Sequence, residues 1–135
     1  SSWIFNQPDE YIYSFDGSTL NLIYSSTKGI ELSNLGKDVI AKVDGSIYKI
    51  KSNNIELLKD FSATSFAGYA FGRNDMDIIT ANEDGIGHYN GTDLVTIYPK
   101  WNQELNRIGS IIFEHDFYFV WEDSYKTFIV HGKLE

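Results

Sequence analysis

The sequence predicts an all-β chain built from a repeated unit of about four short strands. Three observations predict it. Aromatic residues make up 16% of the chain, and Tyr, Phe, Ile and Val recur in short runs; such side chains pack well on a pleated surface. The runs are separated by Asp-Gly, Asn-Gly and related pairs, which supply the positive φ that tight hairpins need. Leading aspartates recur at Asp9, Asp44, Asp84 and Asp123, at spacings of 35, 40 and 39 residues, and a near-constant period of that size marks a repeat architecture.

Each unit reads in the same order. An apolar run comes first: Trp3-Ile4-Phe5, Val39-Ile40-Ala41, Ile78-Ile79-Thr80-Ala81 and Phe117-Tyr118-Phe119-Val120-Trp121. An Asp-led turn follows, then a short strand, then a second turn at Asp16-Gly17, Asn53-Asn54, Asn90-Gly91 and His131-Gly132. Another strand follows that turn in the first three units: Leu20–Tyr24, Ile55–Leu58 and Leu94–Tyr98. A further strand precedes units two to four, at Ile30-Glu31-Leu32, Phe66–Phe71 and Ile108–Phe113. A helical turn is expected at Asn102–Asn106, where Gln103-Glu104-Leu105 interrupts the strand pattern. The whole chain, 1–135, is one repeat domain with units at about 1–28, 29–65, 66–105 and 106–135.

Four strands in about 40 residues is the signature of a β-propeller blade. The pattern of apolar run, Asp-Gly, strand, Asn-Gly and strand resembles the blades of bacterial Asp-Gly-type β-propellers. The third unit carries the resemblance best, from Asp77 through Asp84-Gly85 to His88-Tyr89-Asn90-Gly91. The first and fourth units depart from it, with Glu10 and Ser124 in place of the glycine. The resemblance implies a β-propeller-like array of about three and a half to four units, placed in the extracytoplasmic or extracellular space. Self-association is a route by which such an array would complete a ring and protect its sheet edges. A β-sandwich or antiparallel barrel is the alternative fold, since it too shows turns every 8–12 residues.

Composition narrows function by exclusion. The net charge is −8, which repels phosphate backbones, so nucleic acid is not an expected partner. There is no cysteine, hence no thiolate metal site and no cysteine nucleophile. No apolar run is long enough to span a bilayer as a helix. His88, His115 and His131 lack neighbours at metal-ligand spacing, so no metal or cofactor is expected. The acid pairs Asp75/Asp77, Glu83/Asp84 and Glu122/Asp123 recur with the repeat, as turn acids do. Gly85-Ile86-Gly87 sits between strands with no helix to follow, so it reads as a hairpin and not a dinucleotide loop.

With no catalytic constellation, the expected function is a non-enzymatic binding module whose ligand is a protein or a glycan. Trp101 is its candidate binding residue, because it follows Pro99-Lys100 and precedes Asn102-Gln103 in the longest connector. An aromatic ring can stack on a sugar while neighbouring amides hydrogen-bond its hydroxyls; the other role open to Trp101 is packing between adjacent blades, as a Trp at the end of a blade's outer strand often does. A structural or self-assembling propeller fragment is one alternative function. A glycan-active hydrolase with carboxylates gathered from several loops is another.

Overall fold

A computed structural model of the chain describes residues 10–61, 70–82, 85–99, 106–122 and 125–135. These residues form thirteen strands and no helix. The first two are a hairpin, β1 (Glu10–Phe15) and β2 (Leu20–Ser26). A four-stranded antiparallel meander follows: β3 (Ile30–Leu35), β4 (Asp38–Val43), β5 (Ser46–Ile50) and β6 (Ile55–Asp60). A second meander repeats it with β7 (Ala70–Asn74), β8 (Asp77–Asn82), β9 (Gly85–Tyr89) and β10 (Leu94–Pro99). The last unit has β11 (Asn106–Ile112), β12 (Asp116–Glu122) and β13 (Thr127–Lys133).

Local chemistry sets these hairpins. Asp44 takes φ 55° between β4 and β5, a left-handed conformation that Asp tolerates better than most residues. Between β1 and β2, Asp16 Oδ1 accepts from the N–H of Ser18 and of Thr19, both at 2.9 Å. Asn90 Oδ1 does the same for Thr92 and Asp93, at 3.0 and 2.9 Å. Glycine with positive φ follows each acceptor, Gly17 at 99° and Gly91 at 94°. The two turns are one device used twice, a side-chain oxygen standing in for a backbone acceptor.

The propeller expectation fails at the junction of the meanders. β3 and β7 run parallel and pair at Leu35 and Gly72, and the Gly36 N–H donates to the Gly72 carbonyl at 2.9 Å. The meanders therefore merge into one eight-stranded sheet, ordered β10-β9-β8-β7-β3-β4-β5-β6. Discrete four-stranded blades do not occur. The sheet is an open, curled half-barrel with β10 and β6 as its two ends, so neither a closed ring nor the alternative sandwich or closed barrel is formed. Gly72 leaves room for both of its neighbours, the backbone of β8 and the Leu35 side chain of β3. A Cβ there would strike the Asp77 carbonyl oxygen and lie 2.9 Å from Leu35 Cδ2.

Three apolar cores follow one another along the chain. Ile12 of the hairpin packs with Ala41 and Val43 of the first meander. Leu35, Ile40, Ile47 and Phe61 of the first meander meet Ala70, Ile78 and Tyr89 of the second. Phe71, Ile79 and Ile86 of the second meet Phe117 and Phe119 of the last sheet. Each meander is thus apolar on both faces, one turned to the preceding unit and one to the following unit. Alternation along a strand produces this two-sided burial: Ile40 and Ala41 are adjacent, both fully buried, and point to opposite cores.

Candidate functional site

Trp101 lies outside the described residues, as do Gln103, Glu104 and Leu105 of the expected helical turn. Asn106 opens β11. Glu83, Asp84 and Asp123 also fall outside. Gly85-Ile86-Gly87 lies within β9.

The histidines are held by their own carboxylates. His88 Nε2 sits 2.7 Å from Asp77 Oδ1. His131 Nε2 sits 2.6 Å from Asp116 Oδ1, and its ring stacks on Tyr118 with centroids 4.6 Å apart. His115 is exposed, 3.7 Å from Glu114. Asp77 also binds Arg73 Nε. That guanidinium continues to the Glu114 carbonyl at 2.7 Å and the Glu135 carbonyl at 3.2 Å. Asp77 therefore anchors a cation that ties the second meander to the last sheet. Among the described residues no group of three or more His, Asp or Glu side chains could hold a metal ion.

These pairs belong to a second repeat that the turn aspartates conceal. Asp38, Asp77 and Asp116 open β4, β8 and β12 at intervals of 39 residues. Each faces a basic residue on the next strand: Lys49 at 3.2 Å, His88 at 2.7 Å and His131 at 2.6 Å. The interval is plain in the sequence.

A polar cavity of about 220 Å³ opens between β3, β4, β7 and β11, lined by Glu31, Ser33, Asn34, Lys42, Ala70 and Ser110. Glu31 Oε2 is buried there without a hydrogen-bond partner. Polar cavities of this size are ordinarily hydrated.

The unit register exposes a different feature. Ile47 and Ile86 lie opposite Lys42 and Ala81, four residues beyond Asp38 and Asp77. Ile129 lies opposite Val120, four residues beyond Asp116. In the hairpin, Ile12 precedes the same register shift that Ile47 precedes. These four isoleucines hold one position of the unit. Their exposures are 6% for Ile12, 0% for Ile47, 0% for Ile86 and 68% for Ile129. The first three plug the core against the following unit, whereas Ile129 faces solvent. Around it the outer face of the last sheet presents Ile111, which is exposed, and half-buried Tyr118 and Val120.

The hairpin's far face is its counterpart. Tyr11, Tyr13 and Phe15 alternate along β1, with Leu22 opposite Tyr13 and Leu20 opposite Phe15, and all five are exposed. Tyr13 and Phe15 match Tyr48 and Ile50 in register, and those two pack against the preceding unit.

No family model, curated protein or solved structure matches the chain. The resemblance to Asp-Gly-type β-propellers is overturned by the open sheet, and with it the expected binding module displaying a protein or glycan site on propeller loops. No helix among the described residues is long and apolar enough to cross a membrane.

Proposed function

We propose that this chain is a structural, self-associating β unit whose principal partner is another copy of itself, with no catalytic role. The observation that carries the reading is Ile129. It is 68% exposed at the position where Ile47 and Ile86 are fully buried. Val120, Tyr118 and Ile111 share its face, beside Thr127 and His131, and exposed apolar side chains grouped in this way suit an interaction site.

Sedimentation equilibrium of the purified chain across the micromolar range tests the reading. The expected result is a mass that rises with concentration to a multiple of the chain mass. A strict monomer throughout the range overturns the proposal.

A further inference from the structure

We infer that the association is heterologous: the Ile129 face of one copy seats on the Tyr13–Phe15 face of the next. The inference rests on the self-association proposed above and specifies its geometry. Three internal junctions supply the rule. At each, a forward face presents the isoleucine of the third strand, and a backward face of the following unit receives it. Ile12 meets the backward face bearing Ala41 and Val43, with Tyr48 and Ile50 packed alongside. Ile47 meets the one bearing Ile78 and Tyr89. Ile86 meets the one bearing Phe117 and Phe119. None of these junctions sets forward face against forward face.

Among the described residues, the two exposed apolar faces are one of each kind. The last sheet ends on a forward face, since Ile129 matches Ile12, Ile47 and Ile86, and Tyr118 matches Ile40 and Ile79, which pack forward. The hairpin begins on a backward face, since Tyr13 and Phe15 match Tyr48 and Ile50. A second copy therefore offers each face the type of surface that the chain already uses internally. A junction of this kind is head-to-tail, and it propagates into a ring or a filament according to the rotation at each step. A two-fold dimer of Ile129 faces would require a packing that the chain shows nowhere.

Two single substitutions separate the geometries. Ile129→Asp disables the forward face and Phe15→Asp the backward face. Both residues are exposed, at 68% and 66%, so at a dilution where the wild type is monomeric the circular dichroism spectrum and melt should stay those of the wild type. Each variant alone should be monomeric or nearly so in native mass spectrometry. An equimolar mixture, one partner isotopically labelled, should give a dimer holding one chain of each kind and nothing larger. Ile111→Asp with Leu22→Asp, also exposed positions on the two faces, provides a second pair if either first variant misfolds. A wild-type chain that stays monomeric overturns the self-association reading itself. If the wild type associates, a mixture that yields no mixed dimer, or a Phe15→Asp chain that assembles as the wild type does, overturns the head-to-tail geometry alone.

Discussion

Lys49 reaches across the junction between the meanders to Asp75, with Nζ 3.1 Å from Oδ1, while holding Asp38 of its own meander at 3.2 Å. The Asp75 carboxylate, then that of Asp38, holds the ammonium pKa above the ordinary lysine value of 10.5. A raised lysine pKa means the folded state keeps the proton more tightly than the unfolded chain. The stability so gained is fully present below 10.5 and is lost as pH rises through the folded value. Lys49→Met should therefore lower the melting midpoint near neutral pH. Its deficit relative to the wild type should shrink steadily in alkaline buffers above pH 10.5, as followed by denaturant titrations across that range.

Asp16 provides the acid-side counterpart. The N–H of Thr19, then that of Ser18 and the Ser18 hydroxyl, hold its carboxyl below the usual 3.8. A depressed carboxyl pKa contributes stability above the unfolded value, and that contribution disappears as pH falls through the folded one. Asp16→Ala should destabilise modestly at neutral pH, and its melt should converge on that of the wild type below about pH 3.8.

Much of this fold is legible in the sequence because hairpins are local. The apolar runs at Val39-Ile40-Ala41, Ile78–Ala81 and Phe117–Trp121 fall in β4, β8 and β12. Turn acceptors such as Asp16 and Asn90 lie next to the glycines they work with. What local reading misses is the pairing of Leu35 with Gly72. That contact joins residues far apart in sequence, and nothing in the composition around Gly72 marks it as the place where β7 meets β3. One parallel bridge converts separate blades into a continuous sheet. The apolar end faces were equally hidden, because a strand buried on one face and exposed on the other carries the same residue types as its fully buried equivalents. Only the register, which places Ile129 level with Ile86, shows that one of them lacks a cover.

The bridge yields its own prediction. Gly72→Ala places a methyl group against the Asp77 carbonyl of β8 and 2.9 Å from Leu35 Cδ2, so the backbones of β7 and β8 must part and the Leu35 side chain of β3 must shift. Overpacking of this kind costs about 1–3 kcal/mol. Loss of amide-exchange protection should be concentrated where β7 pairs with β8, at the substituted residue, Asn74 and Ile78. Gly109→Ala is the control, because a Cβ there meets nothing within 4 Å. That strand substitution should be neutral or stabilise by up to about 1 kcal/mol. Equal losses at both sites would remove Gly72 from its role at the junction.

Asp77 and Asp116 occupy equivalent positions, yet burial should separate them. The Asp77 side chain is 13% exposed and serves both Arg73 and His88. Asp77→Ala leaves a half-buried guanidinium without its carboxylate, at a cost of about 2–4 kcal/mol. The Asp116 side chain is 37% exposed and serves His131 alone. Asp116→Ala should cost no more than about 1 kcal/mol. A double-mutant cycle of Asp77 with Arg73 should show coupling. Additive losses in that cycle would mean that Asp77 acts through packing and not through the ion pair.

The unit isoleucines give the sharpest contrast, because the same substitution at equivalent positions should have opposite consequences. Ile47→Ala and Ile86→Ala each empty a fully buried site between two units, and such truncations cost about 2–5 kcal/mol. Ile129→Ala removes a side chain that is mostly in water, and measured in dilute solution it should change stability by less than about 0.5 kcal/mol. Raising the protein concentration should reverse that indifference. Association adds stability to the folded wild type by mass action, so its melting midpoint should climb with concentration while that of Ile129→Ala climbs less. The comparison needs only thermal melts at two concentrations. Parallel behaviour of wild type and Ile129→Ala at both would show that Ile129 meets solvent in the assembled protein as well, and that the exposed isoleucine is not the contact.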